Sequence, residues 1–392
     1  MGAGVRRIIG LELRRALNTF EDPAFDSSGA FCSGAFLFLN AKPIAFAQLY
    51  PLRHLTAAAW DNRPQGENWM SAGSLRIVIP GGTGQIGNIL ARHFHEQGHV
   101  VTVIARHVKS AEWRTTVWDA QELGEWASAF EGADVVINLA GRSVNCRYNA
   151  KNRREIKNSR ILSTSIVGRA ISNCVRPPRL WLNASTATIY RHSVDRAMDE
   201  TGELGGDELD APRRWRFSID VATSWESTFF AADTPRTRKI ALRSAMTMSP
   251  DSGGVFDALL RVVRWGLGGA SGSGEQYVSW IHDVDFIRAI EFLVADEELS
   301  GPINITSPFP LPNRDFMCCL RRCWCTSYVG VPANSWMLSI GAVLLGTETE
   351  LILKSRRVVP GRLLNAGFEF HFPNWRGACC DLVQRWRELH SD

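Results

Sequence analysis

The sequence predicts an α/β fold, a doubly wound parallel sheet with a smaller C-terminal part that caps it. From Leu75 onward, short apolar runs alternate with segments of helical spacing, which is typical of βαβ units whose sheet is buried on both faces. A glycine-rich loop follows the first apolar run and opens the first helix. The length of 392 residues suits one such unit with an appendage.

The individual elements follow from local patterns. Predicted strands are the apolar or β-branched runs at residues 75–79, 100–105, 134–139, 179–184 and 239–243. Predicted helices are the segments at residues 84–97, 148–174 and 217–230, whose apolar positions have helical spacing. The second half is less regular after a glycine-rich loop at residues 266–274.

Composition and charge exclude several classes of protein. An apolar fraction of 45% and a charged fraction of 21% are ordinary globular values. The 44 basic and 40 acidic residues leave a net charge of +4, too small to predict nucleic-acid binding. The uncharged stretch at residues 27–41 is shorter than the ~20 residues of a membrane-spanning helix. With no secretory signal at its start, the chain is expected to be cytoplasmic, without membrane or nucleic-acid partners.

The glycine-rich loop is the strongest functional signal. It predicts a dinucleotide phosphate site, since it satisfies G-x-G-x-x-G between a strand and a helix. Its glycines permit a tight turn and close backbone approach, and the helix N-terminus supplies amide donors. The predicted binding residues are Gly81, Gly82, Thr83, Gly84, Gln85, Ile86 and Gly87. The alternative is a purely structural turn.

The end of the second strand predicts NADP(H) as the cofactor. A site for NAD normally places an acid there to bind the ribose 2′-hydroxyl. This chain has no acid between Glu96 and Glu112, and instead carries Arg106, His107 and Lys109 where a 2′-phosphate would lie. The alternative is a solvated basic turn.

Two further cofactor contacts are predicted from placement. Asp119 follows the presumed third strand and is predicted to accept from an adenine amino group. The fourth strand ends in Leu139, Ala140 and Gly141, whose small side chains would let a ribose lie against the strand tip. Capping or turn roles are the alternative for both.

These residues resemble the extended short-chain dehydrogenase/reductase superfamily, which binds its cofactor in a Rossmann domain. An atypical subgroup is most similar; its members are labelled NAD-dependent epimerase/dehydratase-like proteins, nucleoside-diphosphate-sugar epimerases or, in some cases, cell-division inhibitors. The segments that carry this resemblance are residues 138–141, 147–160, 272–283 and 302–304. Residues 353–373 are similar to the subgroup's own C-terminal domain, so the resemblance covers about 75–382.

The superfamily's chemistry implies a Ser or Thr and a Y-x-x-x-K pair, in which tyrosine is the acid/base and lysine lowers its pKa. No such pair follows the glycine loop, and Val194 stands four residues after Tyr190. If Glu226 occupies the acidic position after the pair, Ser218 and Ala222 replace the tyrosine and lysine. An unassisted tyrosine, with a pKa near 10, is a poor base at neutral pH.

The predicted catalytic residues are therefore Ser185 and Tyr190, which would polarise a carbonyl, and Glu226, which would supply a carboxylate. The alternative for Tyr190 is packing at a strand edge. A basic stretch from Arg142 to Arg160 would attract phosphates or form a solvated helix face. His282 is interpreted as a structural histidine, with an acid/base role as the alternative.

Six of the nine cysteines come late in the chain, at 318, 319, 323, 325, 379 and 380. They form no C-x-x-C pair, so they are interpreted as buried thiols and no metal is predicted. Zinc binding is the weaker alternative.

Together these features predict an NADP(H)-dependent oxidoreductase or epimerase-like enzyme. Its partner would be a small molecule, with nucleotide-linked and carbonyl compounds as candidates. The rival is a non-catalytic NADPH-binding regulatory or interaction protein, favoured by the missing tyrosine–lysine pair. The predicted domains are an NADP-binding domain at 70–250 with a return segment at 281–306, and a capping part at 251–280 and 307–392.

Residues 1–69 have no clear period, and Met70 stands five residues before the first predicted strand. We expect them to be an extension, either disordered or a misassigned start. A chain that begins at Met70 should therefore fold and bind NADPH as the full chain does, which circular dichroism and cofactor titration would measure. Loss of folding or of NADPH binding in the shortened chain would refute this expectation.

Overall fold

The computed structural model describes residues 73–108, 110–208, 212, 215–324, 330–331 and 350–391. The predictions for residues 1–69 and for Lys109 lie outside this part of the chain. No helix in it is both long and apolar enough to cross a membrane.

The predicted parallel sheet is confirmed. Seven strands pair in parallel in the order β10-β6-β5-β4-β1-β2-β3. Their bounds are β1 Arg76–Pro80, β2 Val100–Ala105, β3 Arg114–Val117, β4 Val135–Asn138, β5 Leu180–Thr186, β6 Arg238–Ser244 and β10 Gly301–Ile305. The order reverses direction between β1 and β4, the point at which ligands bind in doubly wound folds.

Two small sheets accompany the large one. The parallel pair is β7 Met246–Met248 with β9 Trp280–His282, and the antiparallel pair is β8 Tyr277–Val278 with β11 Leu311–Pro312. The α-helices are α1 Gln85–Glu96, α2 Ala150–Ser172, α3 Arg216–Ala231, α4 Val255–Arg264, α5 Asp283–Ala295, α6 Asn313–Trp324, α7 Glu350–Leu353, α8 Gly361–Asn365 and α9 Trp375–Leu389. Two 3₁₀ turns lie at Glu125–Phe130 and Ala187–Ile189.

Strand β1 shows why the sheet is covered on both faces. Ile77 and Ile79 pack into one buried cluster with α1 and α5, while Val78 packs into a second cluster with α2. Successive side chains of a strand point to opposite faces, so an unbroken apolar run needs two covering layers. Residues 77–79 of β1 are therefore all apolar, because neither face of the strand is exposed to water there.

The C-terminal part has a core of its own. Helices α4, α6 and α9 enclose a third apolar cluster, in which Phe316 stacks on Trp375 with ring centroids 4.0 Å apart. This cluster is the counterpart of the predicted smaller C-terminal part. The exact domain boundaries stay a prediction.

The structure departs from the predicted bounds mainly at β5. The prediction ended this strand at Ala184, whereas the strand continues through Ser185 and Thr186. These two residues pair with Arg243 and Ser244 of β6, so the neighbouring strand extends the β-conformation into a polar sequence. The hydroxyl-bearing residues are thus held in the sheet rather than in a loop.

His282 joins the sheet region to the C-terminal helix. Its Nδ1 accepts from the Val284 amide at the start of α5, and its Nε2 lies 2.9 Å from a carboxylate oxygen of Asp381 on α9. The His282 side chain is fully buried and does not line the cavity described below. This is the arrangement expected of a structural histidine. Burial lowers the pKa of His282 despite the nearby carboxylates of Asp283 and Asp381.

This burial predicts a pH-dependent stability. Because the pKa of His282 is below 6.5 in the folded state, the unfolded chain binds the proton more readily as pH falls. The free energy of unfolding should therefore decrease as the pH is lowered past about 6.5. The contribution of His282 to this slope is at most about 1.4 kcal/mol per pH unit. Denaturant unfolding at several pH values measures this slope.

The matched variants are His282→Asn, which retains a helix-capping side chain, and His390→Asn at an exposed position. The slope should become shallower in the first variant and stay unchanged in the second. Equal slopes in all three proteins would contradict the assignment.

Candidate functional site

The glycine loop lies where β1 turns into α1, and packing requires its glycines. Gly81 has a φ of +78°, and a Cβ there would lie 2.6 Å from the Cα of Ala140. A Cβ on Gly87 would lie 2.4 Å from the Cα of Gly82. Strand, loop and helix therefore approach more closely than any side chain allows.

The loop opens into a cavity of about 460 Å³ at the carboxyl ends of β4, β5 and β6. Among the predicted cofactor residues, those that line it are Gly81, Gly84, Gln85, Ile86, Gly87 and Leu139. Gly82 and Ala140 are instead buried in the packing behind the loop, and Thr83 and Gly141 lie outside the lining. One wall of the cavity is thus the predicted phosphate loop.

The geometry at Gly84 fits a bound dinucleotide. A Cβ on this residue would meet nothing nearer than the carbonyl oxygen of Gly81 at 3.8 Å, so protein packing leaves room for a side chain. Gly84 is the N-cap residue of α1, where amide donors favour phosphate. The missing Cβ therefore keeps open a cradle for a ligand.

The basic residues after β2 are placed at the surface. Arg106 and His107 are exposed directly beyond the carboxyl end of β2, the strand that neighbours β1. Asp119 lies beyond β3, where its Oδ1 accepts from the amides of Gln121 and Glu122. These two backbone bonds lower the pKa of Asp119 and make it part of a turn. Its predicted contact with adenine stays a prediction.

The three predicted catalytic residues belong to one hydrogen-bonded network. The Ser185 hydroxyl donates to Glu226 at 2.5 Å, and Arg243 donates to both oxygens of the same carboxylate at 2.9 and 2.8 Å. Burial disfavours the charged form of Arg243. The hydrogen bonds and the attraction to the Glu226 carboxylate outweigh this effect, so the pKa of Arg243 is raised. Of the three predicted residues, Ser185 lines the cavity.

Tyr190 occupies the far end of this network. Its side chain is 1% exposed and is not part of the cavity wall. Its hydroxyl accepts from Arg243 at 2.9 Å and donates to the side-chain oxygen of Asn304 at 2.8 Å. Burial raises the pKa of Tyr190 to about 12. The phenol is thus committed to the protein interior, the arrangement expected of a packed structural tyrosine.

A different tyrosine, which the sequence analysis missed, does reach the cavity. Tyr148 lies one residue before Asn149, whose side chain caps α2 by accepting from the Asn152 amide. The Tyr148 ring meets the edge of Phe217 at 5.2 Å, and its hydroxyl bonds to Ser218 on the neighbouring helix α3. The scarcity of tyrosine, five in the whole chain, is the signal that would have drawn attention to it.

The hydroxyl of Ser218 extends this contact to the C-terminal part. It donates to a carboxylate oxygen of Glu350 at 2.8 Å, and Glu350 is 3% exposed at the start of α7. Burial and the charge of Glu350 raise the pKa of Tyr148 to about 12. Tyr148, Ser218 and Glu350 form a chain from the cavity into the C-terminal part.

A buried lysine lies close by, although not at the spacing of the superfamily pair. Lys354 donates to the carbonyl of Thr188, a cavity-lining residue, at 2.8 Å. Arg356 donates to the hydroxyl of the same threonine at 3.0 Å. Burial and the charge of Arg356 lower the pKa of Lys354 to about 7. The segment after α7 therefore backs the hydroxyl-rich wall of the cavity.

The basic stretch divides between the surface and the cavity. Lys157 pairs with the exposed Asp220, as expected of a solvated face. Arg160 instead lines the cavity, with its guanidinium 5.0 Å from the Trp225 ring and bonded to the carbonyls of Arg142 and Ile156. Burial lowers the Arg160 pKa to about 10, so the side chain stays charged at neutral pH. It makes no ion pair with any residue that the structure describes.

Comparisons with known proteins identify the family. The sequence profile of the NAD dependent epimerase/dehydratase family matches residues 77–306, and that of a domain of unknown function, DUF1731, matches residues 335–382. The chain is 29% identical over 319 residues to the human epimerase family protein SDR39U1, covering 79% of this chain and 100% of that protein. An epimerase family protein of Staphylococcus aureus is 28% identical over 318 residues, covering 79% and 99%.

A solved structure agrees with these matches. The crystal structure of human SDR39U1 with NADPH superposes with a TM-score of 0.69 at 25% identity, covering 79% of this chain and 99% of that one. The nucleoside-diphosphate sugar epimerase of Corynebacterium glutamicum has a TM-score of 0.62 at 23% identity, covering 82% and 62%, and supports the fold. Because the family profile spans more than half of the chain, this protein belongs to the NAD-dependent epimerase/dehydratase family.

Proposed function

We propose that the protein is an NADP(H)-dependent oxidoreductase of the epimerase-like type, acting on a carbonyl group of a small-molecule substrate. One observation carries this proposal. The glycine loop that is predicted to bind phosphate and a group of hydroxyl-bearing residues line the same cavity. The hydroxyl-bearing residues of its wall are Tyr148, Ser185, Thr186, Thr188, Ser218, Ser244 and Thr247.

The chain's own residues would hold the cofactor as follows. The amides at the start of α1, from Gly84 onward, would bind the pyrophosphate, and Leu139 would lie against a ribose. Arg106 and His107, with Lys109, would hold the 2′-phosphate, because the exposed Arg106 guanidinium at this strand end suits a phosphate. The human relative was crystallised with NADPH, which supports this choice. Bound in this way, the cofactor supplies a hydride to the substrate carbon.

Tyr148 is the proton donor in this proposal. With a pKa of about 12, its hydroxyl is protonated at neutral pH, so it donates a proton and is a poor base. In a reduction, the substrate oxygen would take the proton that the Tyr148 hydroxyl otherwise donates to Ser218, while the substrate carbon would take the hydride. Ser218 and Glu350 hold the phenol in place through the bonded chain described above. A protonated phenol thus suits the role of proton donor in carbonyl reduction.

Arg160 suits an anionic group on the substrate. It lines the cavity, it stays charged, and its partners in the described part of the chain are two neutral carbonyls and an aromatic ring. A phosphate or carboxylate would therefore gain a charged hydrogen bond there without displacing an acidic partner. This arrangement favours the nucleotide-linked candidates among the predicted substrates.

A second candidate function is a non-catalytic NADPH-binding regulator. One observation favours it. Ser185 donates to Glu226, and Tyr190 is bonded to Arg243 and Asn304 in the same buried network, which is the arrangement of a structural support. A regulator would bind NADPH without turning over any carbonyl compound, and the two experiments below separate the alternatives.

The first experiment tests cofactor preference. NADPH should bind more tightly than NADH, and Arg106→Ala should weaken NADPH binding by roughly 10- to 100-fold, the equivalent of one lost charged hydrogen-bonding group. NADH binding should be unaffected by the same substitution. Fluorescence titration measures all four dissociation constants.

Arg179→Ala is the control. Arg179 is a solvent-exposed arginine at the amino end of β5, whereas Arg106 follows the carboxyl end of β2, so the two lie at opposite ends of the parallel strands. It should change neither affinity. Equal or tighter binding of NADH by the unaltered protein would refute the NADP(H) assignment.

The second experiment compares two tyrosines in NADPH oxidation with a panel of carbonyl compounds. Tyr148→Phe should lower kcat by about 100-fold or more, because the proton donor is lost, and should leave the dissociation constant of NADPH unchanged. Tyr190→Phe should instead lower the free energy of unfolding by about 1–3 kcal/mol, because it leaves buried partners unsatisfied.

The opposite pattern, with turnover lost in Tyr190→Phe and kept in Tyr148→Phe, would overturn the assignment of the proton donor. NADPH binding without turnover across the panel would establish the regulator instead.

A further inference from the structure

Four cysteine thiols meet between α6 and α9, away from the cavity. The Sγ atoms of Cys319, Cys323 and Cys379 all lie within 4.8 Å of one another. The Sγ of Cys380 lies 2.6 Å from that of Cys323. None of the cysteines that the structure describes lines the cavity, so the cluster is separate from the candidate site.

Two of these thiols are carried by α6 and two by α9. Cys319 and Cys323 are four residues apart on α6, which puts both side chains on one face of the helix. Cys379 and Cys380 are adjacent on α9, and of these Cys379 is fully buried while Cys380 is exposed. The two cysteine pairs, neither of which has C-x-x-C spacing, therefore come together only when α6 packs against α9.

Aromatic contacts at both ends fix the two helices against each other. Near their starts, Phe316 stacks on Trp375, and the indole nitrogen of Trp375 donates to the Phe316 carbonyl at 3.0 Å. Near their ends, Trp324 meets Trp386 edge to face at 5.7 Å. The thiols lie between these two contacts, so the packing organises them in advance.

We propose that this cluster, Cys319, Cys323, Cys379 and Cys380, is a structural zinc site. Tetrahedral zinc with Zn–S bonds of ~2.3 Å holds its sulfurs ~3.8 Å apart, a separation compatible with the mutual spacing of the three clustered thiols. Cys380 is assigned as the fourth ligand, because its Sγ lies beside that of Cys323 and its side chain is exposed at the rim of the cluster. Each ligating thiol loses its proton to solvent as its Zn–S bond forms.

Zinc explains more of the arrangement than a disulfide does. A disulfide between Cys323 and Cys380 would use two thiols and leave Cys319 and the buried Cys379 beside it without a role. A soft divalent ion with no redox chemistry uses all four, and a closed set of thiolates is typical of structural sites. The ion would join α6 to α9, since each helix supplies two ligands.

Metal analysis of the full-length protein tests the proposal. The protein, purified under reducing conditions and supplied with zinc, should hold one zinc ion per chain. Cys323→Ser and Cys379→Ser should lose the metal, while Cys318→Ser, on the same helix but outside the cluster, should retain it. Cobalt(II) in place of zinc should give the thiolate charge-transfer absorption in the unaltered protein and in Cys318→Ser alone.

Measurements on the unaltered chain keep the test valid if a variant folds poorly. Removing the metal with a chelator should lower the melting temperature, and adding zinc should restore it, with little change in the affinity for NADPH. Absence of bound zinc in the supplied protein, zinc retained in both cluster variants, or a peptide map that joins Cys323 to Cys380 in the protein as isolated would each overturn the proposal.

Discussion

The buried ion pair between Glu226 and Arg243 is the interaction on which the site depends. Arg243 lies opposite Ser185 in the parallel pairing of β5 and β6, and Glu226 reaches both from α3. Arg243 also bonds to Tyr190, which bonds to Asn304, which in turn donates to the Val359 carbonyl. Removing one partner of such a buried pair typically costs about 3–5 kcal/mol, because the other charge remains without compensation. Sheet, helix and C-terminal segment are therefore joined in one hydrogen-bonded network that is centred on Arg243.

This network separates two tyrosines that look alike in the sequence. Tyr190 follows the hydroxyl-rich strand end, but its hydroxyl is used within the protein. Tyr148 stands just before a helix, lines the cavity, and bonds through its hydroxyl to Ser218, another lining residue. Both phenols have a pKa of about 12, for the shared reason of burial. Position relative to the cavity, rather than acidity, decides which of them suits a proton donor.

The C-terminal part contributes to the site as well as covering it. Glu350, Lys354 and Arg356 fall within the span matched by the domain of unknown function, and each contacts a residue of the cavity wall. Each is an ionisable group held by polar partners in a largely buried position, where the charged form is costly unless those partners are present. The domain therefore completes the polar wall that the Rossmann-type sheet begins. The four thiols lie in the same part of the chain, where the two helices that carry them form a separate core.

The sequence by itself determined the sheet, the glycine loop and the basic end of β2, because these depend on local periodicity and on residues adjacent in the chain. Strand β5 exceeded its predicted end because Ser185 and Thr186 are extended by pairing with β6, which local propensity does not register. Only the tertiary structure brought Tyr148 to Ser218 and Glu350, across separations of 70 and 202 residues. It also decided that Tyr190 is interior and that cysteines about 60 residues apart meet, since contacts between distant segments are set by helix packing and burial rather than by spacing along the chain.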